Sequence, residues 1–512
     1  MPIDRREFCS LATAACVVPG AVADDESAPQ LRVGILSDIH VAMPERKPQL
    51  MKDLRRLDAA KVDAVLITGD LFTLGQIEEL EYVADAWFKV FPDDRRSDGV
   101  KIERLFITGN HDEHDWQPPV GLSDDEAIRR AFRPNREAVW KRLFHEEYRK
   151  IRIREVKGYK FVLRHWQCPQ KKVGGRTLPA DPYEVPTFLT AHADELRGSG
   201  RPFFFVQHEP IDDTVNATWL FSGDKWDNGQ DPRRGLADKK LLSGFPNAVV
   251  LTGHSHASLT DEQSIWQGAF TAVNCGCECG WVFTRPGREN GNCPDDYSRD
   301  PRFEQTMFDL MEPRHGLIMD VHGDRIRFTR LDFRSDRDVG APWEVPLFAG
   351  GRTVPPEGTP KYDFFARKAS SRAPEFPAGA KVAVGYMKDG HRRDAVRFTR
   401  LDLTEAHPQL TVSFPTIASS AATRGFDFRV TCEETAGEIV NVIRERRVFS
   451  PKSCLAPELD KGPCTCVFAV AGLPVNRKIR FRVTPCDSWG NEGKPILSEW
   501  IKVNDLPGNR KS

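Results

Sequence analysis

The sequence lacks an excess of charge of either sign. Its 512 residues include 73 lysines and arginines against 74 aspartates and glutamates, which leaves a formal net charge of -1. Proteins that attract nucleic acid or acidic lipid through their overall field are strongly basic, so the composition points to neither partner. Beyond the N-terminus, the chain also lacks an apolar run of the about 18 residues that a bilayer-spanning helix needs, and we expect no transmembrane segment.

Cysteine is not abundant, and its spacing leaves two interpretations open. Of the 12 cysteines, Cys275, Cys277 and Cys279 alternate within the string NCGCECGW. Zinc sites more often use Cys-x2-Cys spacing, and no second cluster follows. Disulfides of these residues with each other, with Cys168 or with Cys293 are the favoured interpretation for a chain in an oxidising compartment, and a metal-thiolate site is the alternative.

Residues 1–23 have the pattern of an export signal rather than of a folded element. The string RREF, which contains Arg5-Arg6, precedes a weakly apolar stretch, and the small residues Ala21-Val22-Ala23 suit a cleavage site. This pattern resembles the twin-arginine type of signal, whose pathway carries folded and often metal-loaded proteins. The resemblance implies a periplasmic or secreted protein. Lipid attachment at Cys16 is the alternative, although the residues before it match a lipobox poorly.

Five short apolar runs predict buried strands. Each is rich in β-branched or aromatic residues, is apolar along its length and ends at Asp, Asn or His. Continuous rather than alternating hydrophobicity indicates strands that are covered on both faces. The runs are LRVGILSD (31–38), AVLITGD (64–70), RLFITGN (104–110), FFFVQH (203–208) and AVVLTGH (248–254).

Helical patterns lie between some of these runs. Leu50, Leu54 and Leu57 recur at the spacing of one helix face, and residues 76–90 show a similar pattern. Strands that alternate with helices predict an α/β fold. In such folds the side chains at the carboxyl ends of the strands converge on a ligand site, so the polar strand ends are expected to meet at one rim.

The pattern changes after residue 260. Residues 315–333 predict a β-hairpin around His322-Gly323-Asp324. Residues 341–380 are rich in Pro, Gly and Ala and are interpreted as a linker. Short alternating strands fill residues 381–505 and predict a small all-β sandwich, whose final strands, RFRVTPCDSWGNEGKP, resemble those of a fibronectin type III domain.

The polar strand ends carry metal-ligand residue types at suitable spacing. Carboxylate and imidazole groups together suit Mn, Fe or Zn, and this set does not imply a soft thiolate site. Asp-x-His and His-x-His each place two side chains on one side of an extended segment or tight turn, as two ligands of one ion require. The candidate residues are Asp38, His40, Asp70, Asn110, His111, Asp112, His208, His254 and His256.

In this order the residues resemble the pattern of the calcineurin-like metallophosphoesterase superfamily, D-x-H, G-D, G-N-H-D/E, H and G-H-x-H, over residues 38–256. The resemblance implies a four-layer αββα sandwich, here expected over residues 30–340, that holds two divalent transition-metal ions. The matching positions imply that one ion is bound by Asp38, His40 and His256, the other by Asn110, His208 and His254, and both by a bridging Asp70.

The same resemblance implies the reaction, which is hydrolysis of phosphomonoesters or phosphodiesters by a hydroxide that bridges the ions. His111 would then be the general acid for the leaving oxygen, with Asp112 orienting its ring. The positive centre would attract a small phosphate ester without a basic surface. No nucleic-acid partner is evident, and no feature indicates an oligomeric state.

One residue differs from the motif of a related group of phosphatases, and two segments are candidates for substrate selection. Purple acid phosphatases carry GDxxY, whose Tyr binds ferric iron, and this chain has Thr73 at that position, which argues against an iron-tyrosinate centre. Residues 216–235 and 280–303 contain Trp and Arg and are interpreted either as substrate-selecting loops or as solvated loops. Two other functions remain open: a pyrophosphatase that cleaves nucleotide- or lipid-linked diphosphates, and a secreted binding or adhesion protein that uses the fold as a scaffold.

Overall fold

A computed structural model describes most of the chain between residues 28 and 502. The described residues are 28–42, 44–113, 120–216, 218, 233–279, 303–304, 314–391, 406–417, 425–449, 463–474, 476–487, 489 and 491–502. The predicted export signal with Cys16, the residue Cys293 and most of the two segments interpreted as either substrate-selecting or solvated loops lie outside them. Among the described residues, no helix is both long enough and apolar enough to cross a membrane.

The first sheet has seven strands and contains three of the five predicted ones. In spatial order they are β15 (Arg337–Asp338), β14 (Arg325–Asp332), β13 (His315–Val321), β1 (Leu31–Leu36), β2 (Ala64–Thr68) and β3 (Glu103–Ile107), with β16 (Trp343–Pro346) paired to β14. The strands β1, β2 and β3 are parallel. The strand β13 pairs antiparallel with β1 and places Val321 opposite Leu31. The predicted hairpin is confirmed, because β13 and β14 pair antiparallel.

The second sheet has six strands and contains the other two predicted ones. In spatial order they are β10 (Ile265–Gln267), β11 (Thr271–Asn274), β9 (Ala248–Thr252), β8 (Phe203–Val206), β5 (Tyr159–Arg164) and β4 (Ile151–Val156). The strands β5, β8 and β9 are parallel, so β8 and β9 end at the same edge. A separate two-stranded ribbon is formed by β6 (Lys171–Val173) and β7 (Arg176–Leu178).

Helices cover the outer faces of both sheets. The α-helices are α1 (Lys47–Ala59), α2 (Ile77–Val90), α3 (Asn110–Glu113), α4 (Asp124–Arg130), α5 (Arg136–Phe144), α6 (Val185–Ala191), α7 (Ala193–Arg197), α8 (Arg233–Leu242) and α9 (Phe364–Ser370). The two helices predicted around residues 50–57 and 76–90 are confirmed as α1 and α2, and the leucines of α1 are buried.

Three apolar layers hold this part of the molecule together. Between the sheets, Ile35 and Leu66 of the first meet Phe204 of the second, and all three are fully buried. Outside the first sheet, Leu54 and Trp87 belong to a separate helix-covered core; a third core covers the other side of the second sheet. Strands buried on both faces explain the continuously apolar runs. The predicted four-layer αββα sandwich is confirmed.

The predicted linker, residues 341–380, is partly built into this sandwich. The strand β16 extends the first sheet by pairing with β14. The helix α9 follows, and its Arg367 donates hydrogen bonds to the carbonyl and carboxylate oxygens of Glu262, at 2.9 Å and 3.0 Å. The first sheet therefore continues past residue 340, where the domain boundary was predicted. The sequence did not predict this short strand, because the surrounding residues are rich in Pro and Gly.

The C-terminal region is rich in strands that form two further sheets. One contains β12 (Phe303–Glu304), β20 (Ile439–Phe449), β19 (Gly425–Ala436), β22 (Lys478–Asp487), β23 (Ile496–Leu497) and β24 (Ile501–Lys502), and the other contains β17 (Ala383–His391), β18 (Ala406–Phe414) and β21 (Cys464–Ala469). Leu410, Phe428 and Phe481 from both sheets share one core. The resemblance to a fibronectin type III domain stays a prediction.

Candidate metal centre

The loops that follow five strands of the two sheets meet in one buried region. Asp38 and His40 follow β1, Asp70 follows β2, Asn110 to Asp112 follow β3, His208 follows β8, and His254 and His256 follow β9. Backbone hydrogen bonds keep the first two loops side by side, since the N–H groups of Asp38 and His40 donate to the carbonyls of Gly69 and Asp70 at 3.1 Å and 3.0 Å. The expectation that these residues meet at one edge of the sheets is therefore met.

One group of donor atoms surrounds a point between β1 and β9. Nε2 of His40 lies 3.3 Å from Nε2 of His256, and the latter lies 3.2 Å from Oδ1 of Asp38. Oδ2 of Asp70 lies 3.5 Å from Nε2 of His40. Ligands about 2.0 Å from a tetrahedral ion are about 3.3 Å from each other, so this spacing fits a single transition-metal ion.

A second group lies beside the first. Nε2 of His208 is 3.2 Å from Oδ2 of Asp70 and 3.1 Å from Oδ1 of Asn110. Nδ1 of His208 donates to the carbonyl oxygen of Thr68 at 2.9 Å, which fixes the ring and directs Nε2 into the group. The ring of His254 packs edge-on against that of His208, with centroids 5.0 Å apart. Donor atoms of Asp70, His208 and His254 all lie within 4.8 Å of one another.

Asp70 is the residue that the two groups share. Its Oδ2 faces Nε2 of both His40 and His208, and the carboxylate is buried. A buried carboxylate oxygen is costly unless a cation or donor compensates it. One carboxylate lies between two sets of imidazoles, and these donors together could hold divalent metal ions.

Buried charges in this region perturb one another strongly. Burial alone would raise the pKa of Asp38, but the charge and hydrogen bond of His256 hold it at about 2. Burial opposes the charge on His208, yet the carboxylate of Asp70 raises the pKa of that histidine to about 10. Burial lowers the pKa of His254 to about 3. The raised pKa values of His208 and His256 favour positive charge beside the carboxylates of Asp70 and Asp38.

The backbone is bent sharply at the ligand positions. Five candidate ligands have positive φ angles between 44° and 67°, and they are Asp38, His40, Asp70, His254 and His256. Residues other than glycine adopt this left-handed region at a cost of about 1 kcal/mol each, and such strain is concentrated at functional sites. Here it occurs at residues whose donor atoms converge in the two groups.

Two motif glycines leave the space that the ligands occupy. A Cβ atom at Gly109 would overlap Oδ1 of Asp70 and approach Cδ2 of His208 to 2.8 Å. A Cβ atom at Gly253 would overlap the hydroxyl of Ser37 and come within 2.6 Å of Oδ2 of Asp38. Gly109 and Gly253 are therefore required because a side chain of a neighbouring candidate ligand lies where their Cβ atoms would be. Glycine also allows the chain to turn at these positions.

His111 lies at the edge of the centre and is only partly buried. Its ring packs edge-on against His40 with centroids 4.7 Å apart, and its Nδ1 donates to the carbonyl oxygen of Thr73 at 3.0 Å. Its backbone N–H donates to Oδ1 of Asp70 at 2.9 Å. The loop after β2 thus orients the ring of His111. The contact is made by Thr73, which stands where the purple acid phosphatase motif has Tyr.

Asp112 holds that same loop in place. Its carboxylate accepts hydrogen bonds from the backbone N–H groups of Leu71, Phe72 and Gly109 at 3.2 Å, 3.0 Å and 2.7 Å. Burial, followed by the nearby charge of Asp70, raises its pKa well above the ordinary value. These bonds position the loop that carries Asp70 and Thr73. The predicted role of Asp112 in orienting His111 stays a prediction.

Two groups of contacts were missed by the sequence interpretation. Glu113, which follows the motif, is buried and accepts hydrogen bonds from Thr108, Arg136 and Tyr148 at 2.6 to 2.8 Å, which anchors α3. The sulfur of Cys277 lies 3.4 Å from Nδ1 of His256. The sequence shows that Glu113 is charged and directly follows the motif, and that the cysteines alternate. It does not show which distant residues these side chains contact.

The cysteines near the centre are free thiols in the structure. Cys168, Cys275, Cys277 and Cys279 form no disulfide. The Sγ atoms of Cys277 and Cys279 are nevertheless 3.3 Å apart. The disulfides favoured among these four residues are therefore not formed, and a bond to Cys293 lies outside the described residues.

Comparison with known proteins agrees with this geometry. Residues 31–258 match the family model of the calcineurin-like phosphoesterases. This segment has the α/β sandwich fold of a metallophosphoesterase domain. Phosphoesterases of this family are generally metal-dependent hydrolases, and the cluster of His and Asp side chains could hold their divalent ions. No curated protein matches the sequence.

Solved structures that are similar to this chain include a phosphatase, a predicted phosphoesterase and a sorting protein. A dimetal phosphatase from Danio rerio is 10% identical with a TM-score of 0.35, and the alignment covers 62% of this chain and 98% of the other. A predicted phosphoesterase from Streptococcus pneumoniae is 12% identical with a TM-score of 0.24, covering 62% and 97%. Vacuolar protein sorting 29 from Cryptosporidium parvum is 12% identical with a TM-score of 0.26, covering 62% and 98%.

The raised histidine pKa values predict pH-dependent metal uptake by the phosphoesterase domain. Since the pKa of His208 is raised to about 10 and that of His256 well above its ordinary value, both are protonated near neutral pH and must lose a proton to bind an ion. Between about pH 6 and about pH 8, the Mn²⁺ affinity should rise about tenfold per pH unit for each proton displaced. Calorimetric titration in buffers of different ionisation enthalpy measures both quantities, and a pH-independent affinity without proton release would contradict the prediction.

Proposed function

We propose that this protein is an exported phosphoesterase that holds two divalent metal ions and hydrolyses phosphomonoesters or phosphodiesters. The observation that carries the proposal is the position of Asp70, whose single carboxylate faces both sets of imidazole donors. A protein that used the fold only as a scaffold would have no need to keep such a costly buried cluster.

The ligands divide between the two ions according to which donors are mutually close. Asp38, His40 and His256 would hold the first ion, Asn110, His208 and His254 would hold the second, and Asp70 would bridge them. The ions, when bound, activate a water for attack on phosphorus and neutralise charge that develops on the phosphoryl oxygens. Mn, Fe and Zn all suit carboxylate and imidazole donors.

The residues of the chain itself orient these groups and move the proton. The Thr68 carbonyl holds the ring of His208, and the Thr73 carbonyl holds the ring of His111. His111 keeps the Nδ1 proton that it donates to Thr73, so it would act as the imidazolium and give the proton on Nε2 to the leaving oxygen. Burial of the metal ligands keeps bulk water from screening the charges in the centre.

Metal analysis joined to hydrolysis assays tests the proposal. Purified protein should contain about two transition-metal ions per chain and should hydrolyse a generic aryl phosphomonoester or diester, because a paired centre both activates water and neutralises phosphate. Chelation should abolish turnover and added Mn²⁺ should restore it. Protein that holds no transition metal and stays inert with added Mn²⁺ would favour the scaffold function, and preference for nucleotide diphosphates would favour the pyrophosphatase.

The variant His111→Ala separates proton transfer from metal binding. Metal content should persist, because no metal-ligand role is assigned to the ring, while turnover of an ester with a poor leaving group falls by about 10²-fold or more. The loss should shrink for an aryl ester whose leaving oxygen needs no proton. The control His192→Ala removes a histidine that pairs with Glu195 outside the centre and should leave both measurements unchanged. Equal loss of metal and turnover would show that the proton-donor assignment is wrong.

Export through a twin-arginine pathway is proposed from the pair Arg5-Arg6 and the small residues at 21–23. Replacing both arginines by lysine keeps the charge but should leave the protein in the cytoplasm of a bacterial host, as measured by cell fractionation. The matched control Arg129→Lys/Arg130→Lys changes a second arginine pair, on α4, and should not alter the location. Unchanged export of the first variant would refute this route.

A further inference from the structure

The segment of residues 275–279 runs beside the loop that carries Asp38 and His40. The backbone N–H of Glu278 donates to the carbonyl of Ser37 at 2.9 Å, and that of Cys279 donates to the carbonyl of Asp38 at 3.0 Å. Arg46 donates to the carbonyl of Cys279 at 3.0 Å. These three hydrogen bonds hold the segment, which we call the cysteine segment, against the first group of ligands.

One sulfur atom of the cysteine segment lies close to the first group, although this segment is not part of the ligand motif. Donor atoms of His40, His256 and Cys279 all lie within 4.8 Å of one another, and all three residues are buried. This set shares both histidines with the group that contains Asp38 and Asp70, but the sulfur is not grouped with the two carboxylates.

We propose that Cys279 is a sulfur ligand of the ion held by His40 and His256. The inference rests on the proposed function, because it assigns a further ligand to one of the two proposed ions. A cysteine binds a metal ion as its thiolate, and its proton passes to solvent when the ion enters. With His40 and His256 the sulfur makes a set of three protein donors, the number that zinc sites with an open position use.

Cys277 has a different position from Cys279. Its sulfur contacts Nδ1 of His256, at 3.4 Å, whereas Nε2 of that ring faces Asp38 and His40. One ring nitrogen thus faces the ion site and the other faces Cys277, which orients the ring as an outer hydrogen-bond partner does. Cys277 is therefore a positioning residue, and Cys279 is the ligand.

A thiolate changes which metal the first position prefers. Soft sulfur donors favour Zn²⁺ and iron, whereas purely nitrogen and oxygen sets also accept Mn²⁺ well. The thiolate adds a negative charge beside Asp38 and Asp70, which further favours an ion that binds anionic ligands strongly. We expect Cys279→Ser to reduce the affinity for Zn²⁺ relative to that for Mn²⁺ by about tenfold or more.

Cobalt substitution of the full chain under reducing conditions tests the ligand directly. Wild-type protein loaded with Co²⁺ should show a near-ultraviolet sulfur-to-cobalt charge-transfer band together with visible ligand-field bands. Cys279→Ser should lose the charge-transfer band and keep the visible ones. The matched control Cys275→Ser removes a buried thiol of the same segment, whose sulfur contacts the carbonyl of Val273, and should keep both.

The outcomes separate this inference from the proposed function. Visible bands without a charge-transfer band in the wild type would refute the sulfur ligand and leave the two-metal proposal standing. No cobalt binding at all would refute both. A disulfide between Cys277 and Cys279 in metal-loaded protein, found by mass spectrometry, would also overturn the inference, since that sulfur could not bind as a thiolate.

A second measurement needs no variant and so does not depend on how Cys279→Ser folds. X-ray absorption of the zinc-loaded wild type should show a sulfur neighbour at about 2.3 Å besides nitrogen and oxygen neighbours at about 2.0 to 2.2 Å. A spectrum that only nitrogen and oxygen neighbours explain would refute the sulfur ligand.

Discussion

The compensation of two buried carboxylates is the interaction on which the centre depends. Asp38 and Asp70 lie where the two sheets meet, out of reach of bulk water, and a carboxylate there is tolerated only beside positive charge. The raised pKa values of His208 and His256 favour such charge beside both carboxylates. The same donor atoms are spaced for metal ions, so protons and divalent cations compete for one set of positions.

The rest of the domain serves to bring these donors together. In each sheet the candidate ligands follow the ends of strands that are buried on both faces. Because packing holds these strands in place, the loops that carry the ligands start from fixed positions. Left-handed backbone at Asp38 and His254, and the absence of a Cβ at Gly109 and Gly253, then allow close approach. The strain is held in place by the inter-sheet core, which cannot relax without exposing large apolar side chains.

The sequence predicted the parts of this arrangement that have a local cause. A run such as AVLITGD ends in a costly polar residue, and that abrupt change is enough to identify Asp70 as a candidate ligand. The strand β16 was not foreseen, because four residues among prolines and glycines carry little periodicity. The contacts of Asp112 with Leu71 and Phe72, and of Cys277 with His256, depend on how distant loops align, and no spacing within the chain encodes that alignment.

The pairing of β1 with β13 bears on how the protein is made. Leu31 lies among the first described residues, yet its antiparallel partner is Val321, which leaves the ribosome much later. Until then, the nascent chain exposes one open edge of β1, and unpaired edges recruit foreign strands. That edge of β1 is therefore completed only after most of the two-sheet sandwich has been synthesised.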